Sequence, residues 1–550
     1  MKEKEKKYIT ILIIVLVIIA LILAITKVNY TQLSNEITSV TNSVKKVNDT
    51  LNVKNNDMEQ VVRDRTHTIN ESTKRVEKEV NRSRSRVELE DELSGRVLKL
   101  NFNDEEITFD TSYSDEEGMI DSLCVINDIE VVPTIIGTPL PEGTLISVNG
   151  VDVTNQGNIQ IPKIEFNEDI IVTLHLDNLT REYKIKTLPY DFPTMEKVGE
   201  SPYEGDYYFN TMYLDGVSYI VKMSDEGNIL YYKRSTDGTI GNFQKVTVGN
   251  KTRYIYFKPE KQGTRFQTNG YNRGVIVVMD ENYRVIDELN GLPSKKYEEK
   301  NISPELHDCI YLDDGHYIIM DYITRNDDKV SKELDNTRLL TAYIQEVKNG
   351  EIVWEWMGTD YPQFIKGSVE GNDYTDGTKL SHDYMHINSM FIDPKDNNII
   401  CSLRNQDAII KIDRNNGKVL WTLGGKNDEF KLKEKYYFER QHHATYTKEG
   451  KLILFDNGIK PRDSRVLEFD LDEKNKKIKS VKEYLIPGNH GDYTGSVQKI
   501  DEKNDVFLIG WGMSRTNNSM VTEVNFKDEK INTEIVAGGF LDTYRVLKFK

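Results

Sequence analysis

Residues 392–423 read IDPKDNNIICSLRNQDAIIKIDRNNGKVLWTL, in which short apolar runs alternate with turns rich in Asp, Asn and Gly. Apolar runs of this length between such turns predict antiparallel β-hairpins. Similar units recur toward both ends of the chain, at YLDGVSYIVKM (213–223), YLDDGHYIIM with NGEIVWEW (311–320 and 349–356), TKEGKLILFD with RVLEFDLDEKNKKI (447–456 and 465–478) and KIDEKNDVFLIGW (499–511). A sixth unit, with less distinct boundaries, lies around residues 254–289. Six units of roughly 40 to 80 residues predict a mainly β protein built as a six-bladed β-propeller.

The region before these units has shorter strands and no helical period. VLKLNF (97–102) and IVTLHL (171–176) are examples, and Asn149 with Gly150 lies between two apolar alternations. An Asn-Gly pair in that position favours a tight hairpin turn. The strands are too few for a large barrel, so we expect a small β-sandwich over residues 95–187, followed by LPYDFP (188–193) as the linker.

The N-terminus carries an uncharged, apolar run of nineteen residues, 8–26, which is long enough for a helix to cross a bilayer. Four lysines lie within the first seven residues and Lys27 follows the run, so the positive-inside rule places the N-terminus in the cytoplasm. We therefore expect a single-pass cell-membrane protein whose later domains are extracytoplasmic. A cleaved signal peptide is the alternative interpretation of this run.

Apolar residues then recur at steps of four and three from Leu33 to Leu51, and again, with one slip, from Met58 to Val87. This heptad pattern predicts a helical stalk, either a solvated spacer or a coiled coil that makes the protein a homo-oligomer. The expected domains are the cytoplasmic tip with the transmembrane anchor (1–27), the stalk (28–94), the β-sandwich (95–187) and the propeller (188–550).

Composition limits the kinds of partner. Acidic residues outnumber basic ones by 89 to 72, which disfavours nucleic acid because phosphate binding needs a basic surface. Cys124, Cys309 and Cys401 lie far apart in the sequence, so neither a zinc cluster nor a disulfide framework is indicated. An anionic substrate must therefore meet a local positive site.

Three histidines share one position relative to the turns of successive units. His307, His386 and His442 lie six or seven residues before the acidic residue of the following turn, and Thr494 has the same position in the next unit. In a propeller this position is the start of the inner strand, which faces the mouth of the central channel. Four polar side chains are therefore expected to converge, as an active site requires.

Two further residues are placed near this cluster. Strand alternation puts Asn388 on the same face as His386, and Arg404 lies one hairpin later. His443 is an alternative to His442, although alternation points it the opposite way. The remaining propeller histidines divide into two groups: His316 and His382 are interpreted as turn or surface residues, and His490 stays ambiguous.

These residues lie in segments that resemble the PAPS-independent bacterial aryl-sulfate sulfotransferases. The similar segments are LPYDFP (188–193), HDCIYLDDGHYII (307–319), MHINSMFIDP (385–394), SLRNQDAIIKID (402–413) and QHHATYTKEGKLILFDNG (441–458). The resemblance extends from residue 95 to the C-terminus and implies a β-sandwich followed by a six-bladed propeller. It does not cover the anchor and the stalk. The cysteine pair of the family's gram-negative members is absent here.

The resemblance implies ping-pong transfer of a sulfuryl group from a phenolic sulfate ester to a phenol, through a sulfohistidine. His442 would be the nucleophile, and His307 or His386 the general acid and base. Arg404 and Asn388 would donate hydrogen bonds to the sulfuryl oxygens, and Thr494 would add to the binding site. We expect no cofactor: no P-loop motif for a nucleotide donor occurs, and Arg404 would repel a metal cation from the histidines.

Two other functions fit parts of the sequence. IDRNNGKVLW (412–421) is similar to the repeats of quinoprotein propellers, but the chain has four tryptophans, too few to dock every blade. A non-catalytic binding propeller displayed on a stalk would explain the anchor, but not the polar cluster. Turnover of a chromogenic aryl sulfate separates these possibilities.

Overall fold

The structure, a computed structural model, describes most of the chain after residue 139 and shorter pieces before it. The described residues are 14–18, 37–46, 86–94, 96–102, 105–110, 120–125, 133–135, 140–154, 169–189, 191–212, 216–260, 270, 272–327, 337–376, 378–379, 381–514, 519–538 and 541–550. Strands dominate these residues, so the expected mainly β class is confirmed.

Helices are few and short. They are α1 (14–18), α2 (37–46), α3 (Arg86–Leu93) and α4 (Pro362–Gly367), with 3-10 turns at Gly358–Asp360, Arg404–Gln406 and Glu434–Tyr436. Within the described residues we find no helix with the length and apolar character that a membrane span requires. Most of the predicted anchor and much of the predicted stalk lie outside the described residues.

The chain divides into two compact units. One comprises Met1–Gly118, Glu130–Pro162 and Ile171–Tyr183, and the other comprises Met119–Ile129, Lys163–Ile170 and Lys184–Lys550. The predicted boundary at residue 188 therefore lies close to where the long part of the second unit begins.

The region predicted as a β-sandwich forms two sheets. Their strands are ordered β2-β1-β4 and β3-β8-β7-β5-β6. The bounds are β1 (Val97–Phe102), β2 (Glu105–Asp110), β3 (Ile120–Val125), β4 (Pro133–Ile135), β5 (Leu145–Val148), β6 (Val151–Asp152), β7 (Asp169–Leu176) and β8 (Leu179–Leu188). Every second residue of β7 is buried, as its alternating sequence predicts. Asn149 and Gly150 connect β5 to β6 with φ of 48° and 77°, the left-handed turn that this pair favours.

In the second unit, the described residues from 195 onward form six successive sheets, which are antiparallel except that β21 pairs in parallel with β19. The first three contain β10 (Asp206–Asn210), β11 (Ser218–Met223) and β12 (Ile229–Ser235); β13 (Gly241–Val248), β14 (Lys251–Pro259), β15 (Gly274–Met279) and β16 (Val285–Leu289); and β17 (Cys309–Asp313), β18 (His316–Asp327), β19 (Thr337–Lys348), β20 (Glu351–Met357) and β21 (His382–Asp383). The last three contain β22 (Ile387–Ile392), β23 (Ile399–Leu403), β24 (Ala408–Ile412) and β25 (Val419–Gly424); β26 (His442–Tyr446), β27 (Leu452–Asp456), β28 (Arg465–Asp472) and β29 (Lys477–Leu485); and β30 (Ser496–Asp501), β31 (Val506–Gly510), β32 (Ser519–Asn525), β33 (Lys530–Ala537) and β9 (Met195–Gly199).

The uninterrupted apolar runs of the sequence are strands with both faces buried. In β27 the side chains of Ile453 and Phe455 pack toward the sixth sheet, whereas Leu452 and Leu454 pack toward the fourth. Such a strand needs no polar residue at alternate positions. The runs that repeat along the sequence are therefore the middle strands of these sheets.

Apolar layers join each sheet to the next and the sixth sheet to the first. The C-terminal strand β34 (Val546–Phe549) completes this ring, because it pairs with β10 at the other end of the unit. We call the six sheets together the six-sheet ring. This is the order of sheets that the sequence analysis expects of a six-bladed propeller.

Candidate active site

The predicted histidines meet at one end of the inner strands. His307 lies just before β17, His386 just before β22 and Thr494 just before β30, while His442 begins β26. All four side chains and Arg404 line a cavity of about 410 Å³, which we call the histidine cavity. The position that these residues share in the sequence therefore corresponds to one place in the structure.

His442 is held by an amide. Its Nδ1 lies 2.7 Å from Oδ1 of Asn457, whose Nδ2 donates to the carbonyl oxygens of Gly491 at 2.8 Å and Thr494 at 2.9 Å. These two donations fix the orientation of the amide, so Oδ1 accepts the proton of Nδ1 and the lone pair of the ring lies on Nε2. Burial, and then the charge of Arg404, hold the pKa of His442 well below its ordinary value. The ring is therefore neutral at neutral pH, with Nε2 free to attack.

His307 and His386 are held by carboxylates instead. Nδ1 of His307 lies 2.5 Å from Oε2 of the fully buried Glu305, whose Oε1 accepts the backbone N–H of the same histidine at 2.8 Å. Nδ1 of His386 lies 2.6 Å from Oδ2 of Asp383. Burial lowers the pKa of His386, and Asp383 opposes this effect. A carboxylate behind each ring stabilises an added proton, which suits these two histidines to proton transfer.

The two rings pack edge to face, with centroids 4.9 Å apart. Neither Nε2 has a hydrogen-bond partner among the described residues, and both rings line the histidine cavity. The nitrogen that remains free in each ring is therefore the one that a bound substrate can reach.

Besides the histidines, two basic residues among the described ones line the cavity: Lys379, which is exposed, and Arg404, which is buried. Its Nη1 donates to Oε2 of Glu370 at 2.9 Å and to Oδ1 of Asn405 at 2.7 Å, and its guanidinium lies over the ring of Tyr493. The residue is only 5% exposed, and its Nη2 has no partner among the described residues. A buried, unpaired guanidinium donor is costly unless an anion satisfies it. Arg404 thus fits the recognition of a sulfuryl group.

Thr494 lies on the wall of the cavity, but its hydroxyl proton is already used. Oγ1 donates to the carbonyl oxygen of Thr543 at 2.9 Å. A sulfuryl group has only acceptor oxygens, so this hydroxyl cannot donate to it while that bond is kept. Thr494 therefore lines the site with its hydroxyl proton bound to the backbone, and its role in substrate binding stays a prediction.

Asn388 is not brought to the histidine cavity. It is fully buried and its Nδ2 donates to the carbonyl oxygen of Gln441 at 2.7 Å, away from the lining residues. The expectation assumed regular alternation after His386, but that residue has a φ of 52° and the register of β22 shifts between Ile387 and Ser389. With this irregular start, the Asn388 amide joins two inner strands, and its Oδ1 is buried without a partner among the described residues.

His382 departs from the expectation in the opposite direction. It was expected in a turn or at the surface, yet it is 3% exposed and lines the histidine cavity. The nitrogens of the other propeller histidines bind elsewhere: His443 to the backbone of Val497, His316 to Glu346 and His490 to the carbonyl of Arg462. His443 lines a separate cavity, in agreement with its opposite direction on the strand.

Sequence reasoning missed the residues that orient the histidines. Glu305 and Asp383 had a local signal, since an acidic residue lies two positions before His307 and three before His386. Asn457 had none, because it lies fifteen residues after His442 and reaches it only through the pairing of β26 with β27. Hydrogen-bond partners that are close in sequence can be found from their spacing. Asn457 can be recognised as the partner of His442 only when the fold is known.

One acidic group among the described residues has a spacing that suits a metal ion. It consists of Asp393, Asp396 and Glu473. The ammonium group of Lys411 lies 2.7, 2.7 and 2.5 Å from oxygens of these three carboxylates, respectively. The cluster therefore already surrounds a cation of the chain itself and forms an ion-pair network in which Asp393 and Lys411 are buried and Asp396 is exposed.

Comparison with known proteins identifies the family. The family model described as Arylsulfotransferase (ASST) matches residues 250–545, more than half of the chain and all of the histidine positions above. No curated protein matches the chain. Similar solved structures include a protein of unknown function from Bacteroides caccae (10% identity, 63% of this chain and 99% of that one, TM-score 0.36) and a putative 6-phosphogluconolactonase from Bacteroides fragilis (12% identity, 64% and 99%, TM-score 0.32). Because this match covers more than half of the chain and includes the histidine positions, the chain belongs to the arylsulfotransferase family.

Proposed function

We propose that the protein moves a sulfuryl group from a phenolic sulfate ester to a phenol, without a nucleotide donor, on a six-bladed propeller. Membership of the family supports aryl sulfotransferase activity. The observation that carries the finer proposal is the difference between the partners of the three rings. Nδ1 of His442 is hydrogen-bonded to a neutral amide, whereas Nδ1 of His307 and of His386 is hydrogen-bonded to a carboxylate. From this difference we infer that His442 is the nucleophile and that His307 and His386 carry protons.

In the first half-reaction, Nε2 of His442 attacks sulfur and the bond between sulfur and the phenolic oxygen breaks. Because the transition state is loose, charge grows on the departing oxygen and spreads over the three sulfuryl oxygens. A protonated His307 or His386 gives its Nε2 proton to the departing oxygen, so the phenol leaves neutral. The sulfated ring becomes cationic, because Nδ1 keeps its proton and continues to donate it to Oδ1 of Asn457.

The second half-reaction runs the same steps in reverse with an acceptor phenol. The histidine that gave up its proton is now the base, and it takes the phenolic proton as the oxygen attacks sulfur. The bond between sulfur and Nε2 breaks, which restores neutral His442. Arg404 stabilises the sulfuryl oxygens in both halves through its unpaired Nη2, and donors fixed in place are worth most where charge develops.

The test is turnover of 4-nitrophenyl sulfate by the purified full chain. We expect release of nitrophenol that is accelerated by added phenol, together with formation of phenyl sulfate. Leaving out nucleotides should make no difference, because both half-reactions use groups of the chain alone. Release no faster than in buffer, with phenol present, would show that the proposal is wrong.

We further propose that the protein is a membrane-anchored homo-oligomer with its catalytic unit outside the cytoplasm. The apolar run at 8–26 supports the anchor. In α2 the side chains of Ile37, Val40 and Val44 are exposed, and their spacing places them on one helix face. An exposed apolar stripe of this kind is stabilised by pairing with the same stripe of another subunit.

We expect the oligomer to dissociate when the apolar stripe of α2 is disrupted, and to persist when the same charge is added elsewhere on α2. Val40→Asp with Val44→Asp in the detergent-solubilised full chain should lower the mass measured by sedimentation to that of the monomer. Ser39→Asp with Asn42→Asp adds the same charge on the opposite face of α2 and should leave the mass unchanged. If the first variant keeps the mass of the unchanged protein, the stalk does not cause assembly.

A further inference from the structure

The wall of the histidine cavity contains a fourth histidine that the proposed mechanism does not use. His382 belongs to β21, where parallel pairing with Leu339 of β19 holds its backbone. Its ring packs edge to face on Tyr374, with centroids 5.5 Å apart. The next residue, Asp383, holds His386. His382 is therefore fixed beside the reacting groups.

His382 differs from the other three histidines in its hydrogen bonds. Each of the others has Nδ1 bound to Asn457, Glu305 or Asp383. In His382, Nδ1 is buried without a partner among the described residues. A catalytic histidine needs its tautomer fixed by a second group. Nothing fixes the tautomer of His382, so it is unsuited to proton transfer on a set path.

The same features suit a binding role. Burial lowers the pKa of His382, so the ring is neutral at neutral pH and offers one donor and one acceptor. A polar atom buried without a hydrogen-bond partner costs free energy. A ligand that supplies the missing hydrogen bond removes this cost, which strengthens its binding. A hydroxyl group matches either tautomer, because it can both donate and accept.

We propose that His382 binds a second hydroxyl group on the aromatic substrate, so that the cavity selects dihydroxybenzenes over phenol. This inference rests on the proposed function, since the cavity must take an aromatic acceptor. The reacting hydroxyl lies at His307 and His386, and the second hydroxyl lies at His382. A site built to hydrogen-bond a hydroxyl discriminates strongly against the analogue that lacks it.

The experiment compares acceptors with 4-nitrophenyl sulfate as the donor. Phenol, catechol, resorcinol and hydroquinone are used with the full chain, and kcat/KM is measured for each. We expect kcat/KM for at least one dihydroxybenzene to exceed kcat/KM for phenol by about tenfold or more. Two equivalent hydroxyls alone would account for a factor of two. In His382→Phe this ratio should fall toward two. His382→Gln, which keeps a donor and an acceptor, should restore part of it.

His316→Phe serves as the matched control, because His316 pairs with Glu346 and does not line the cavity. It should keep the ratio of the unchanged protein. Calorimetric binding of hydroquinone and phenol to the resting protein gives a second measurement that needs no turnover, and His382→Phe should abolish the preference there too.

The outcomes distinguish the two proposals. If the unchanged protein turns over no aryl sulfate, the proposed function fails, and calorimetry alone then decides on His382. If it turns over aryl sulfates with the same acceptor ratio as His382→Phe, or if no dihydroxybenzene is preferred, the proposed hydroxyl site is wrong while the function stands.

Discussion

Replacement of His442 by asparagine is expected to abolish turnover and to prevent covalent labelling of the protein by an aryl sulfate. The Nε2 of this ring is the atom that bonds to sulfur in the proposed mechanism, and asparagine offers no nitrogen lone pair of that kind. Intact-mass analysis after mixing with donor, and without acceptor, should show one sulfuryl adduct on the unchanged protein and none on His442→Asn. Peptide mapping should place the adduct on His442.

His307→Asn and His386→Asn are the matched variants. They should still be labelled, but turnover should fall by roughly 10²- to 10⁴-fold in the variant that lacks the main general acid, which is the typical contribution of acid and base catalysis. The loss should be smaller for a nitrophenyl donor than for a poorer leaving group, because a stable phenolate needs little protonation. An adduct on His443, or turnover by a variant that takes up no label, would overturn the assignment of His442.

Asn457→Asp should change the pH dependence of labelling. In the unchanged protein the pKa of His442 lies well below its ordinary value, so the neutral, attacking form persists as the pH falls to 6 and below. A carboxylate at position 457 stabilises the protonated ring and raises this pKa. At about pH 6, close to the ordinary pKa of histidine, labelling should slow by tenfold or more, and it should recover as the pH rises past the new pKa.

Asn457→Leu separates charge from orientation. Leucine adds no charge and accepts no proton from Nδ1, so the tautomer of His442 is no longer fixed. Labelling should then be slower over the whole pH range, without recovery at high pH. A pH profile of Asn457→Asp that matches the unchanged protein would show that the amide does not keep His442 neutral.

The sequence predicted the positions of the histidines because they depend on a repeat. His307, His386 and His442 occupy equivalent positions in successive hairpin units, and equivalent strands of neighbouring sheets begin at the same end of the ring. The periodic apolar runs predicted the sheets for the same reason. A feature that recurs at the same position in each unit can therefore be predicted from the sequence alone.

Features that break the repeat could not be predicted in this way. The left-handed backbone of His386 and the register shift after it turn Asn388 inward, and no local residue pattern marks that shift. The sequence interpretation of His382 was a turn or surface residue. Only its pairing with β19 across a long connection shows that it is buried. The positions of these two side chains depend on contacts with residues that are distant in sequence.

The C-terminal residues that close the six-sheet ring also build its active end. Tyr544 lines the histidine cavity, Arg545 is paired with Asp308 at 3.0 Å, and β34 completes the first sheet. His307, His386 and His442 all precede this strand in the sequence, by about 100 residues or more. A nascent chain that ends before Tyr544 therefore carries all three histidines but lacks part of the wall of their cavity. The proposed transfer therefore needs the closed ring as well as the histidines, because the segment before β34 forms part of the cavity wall.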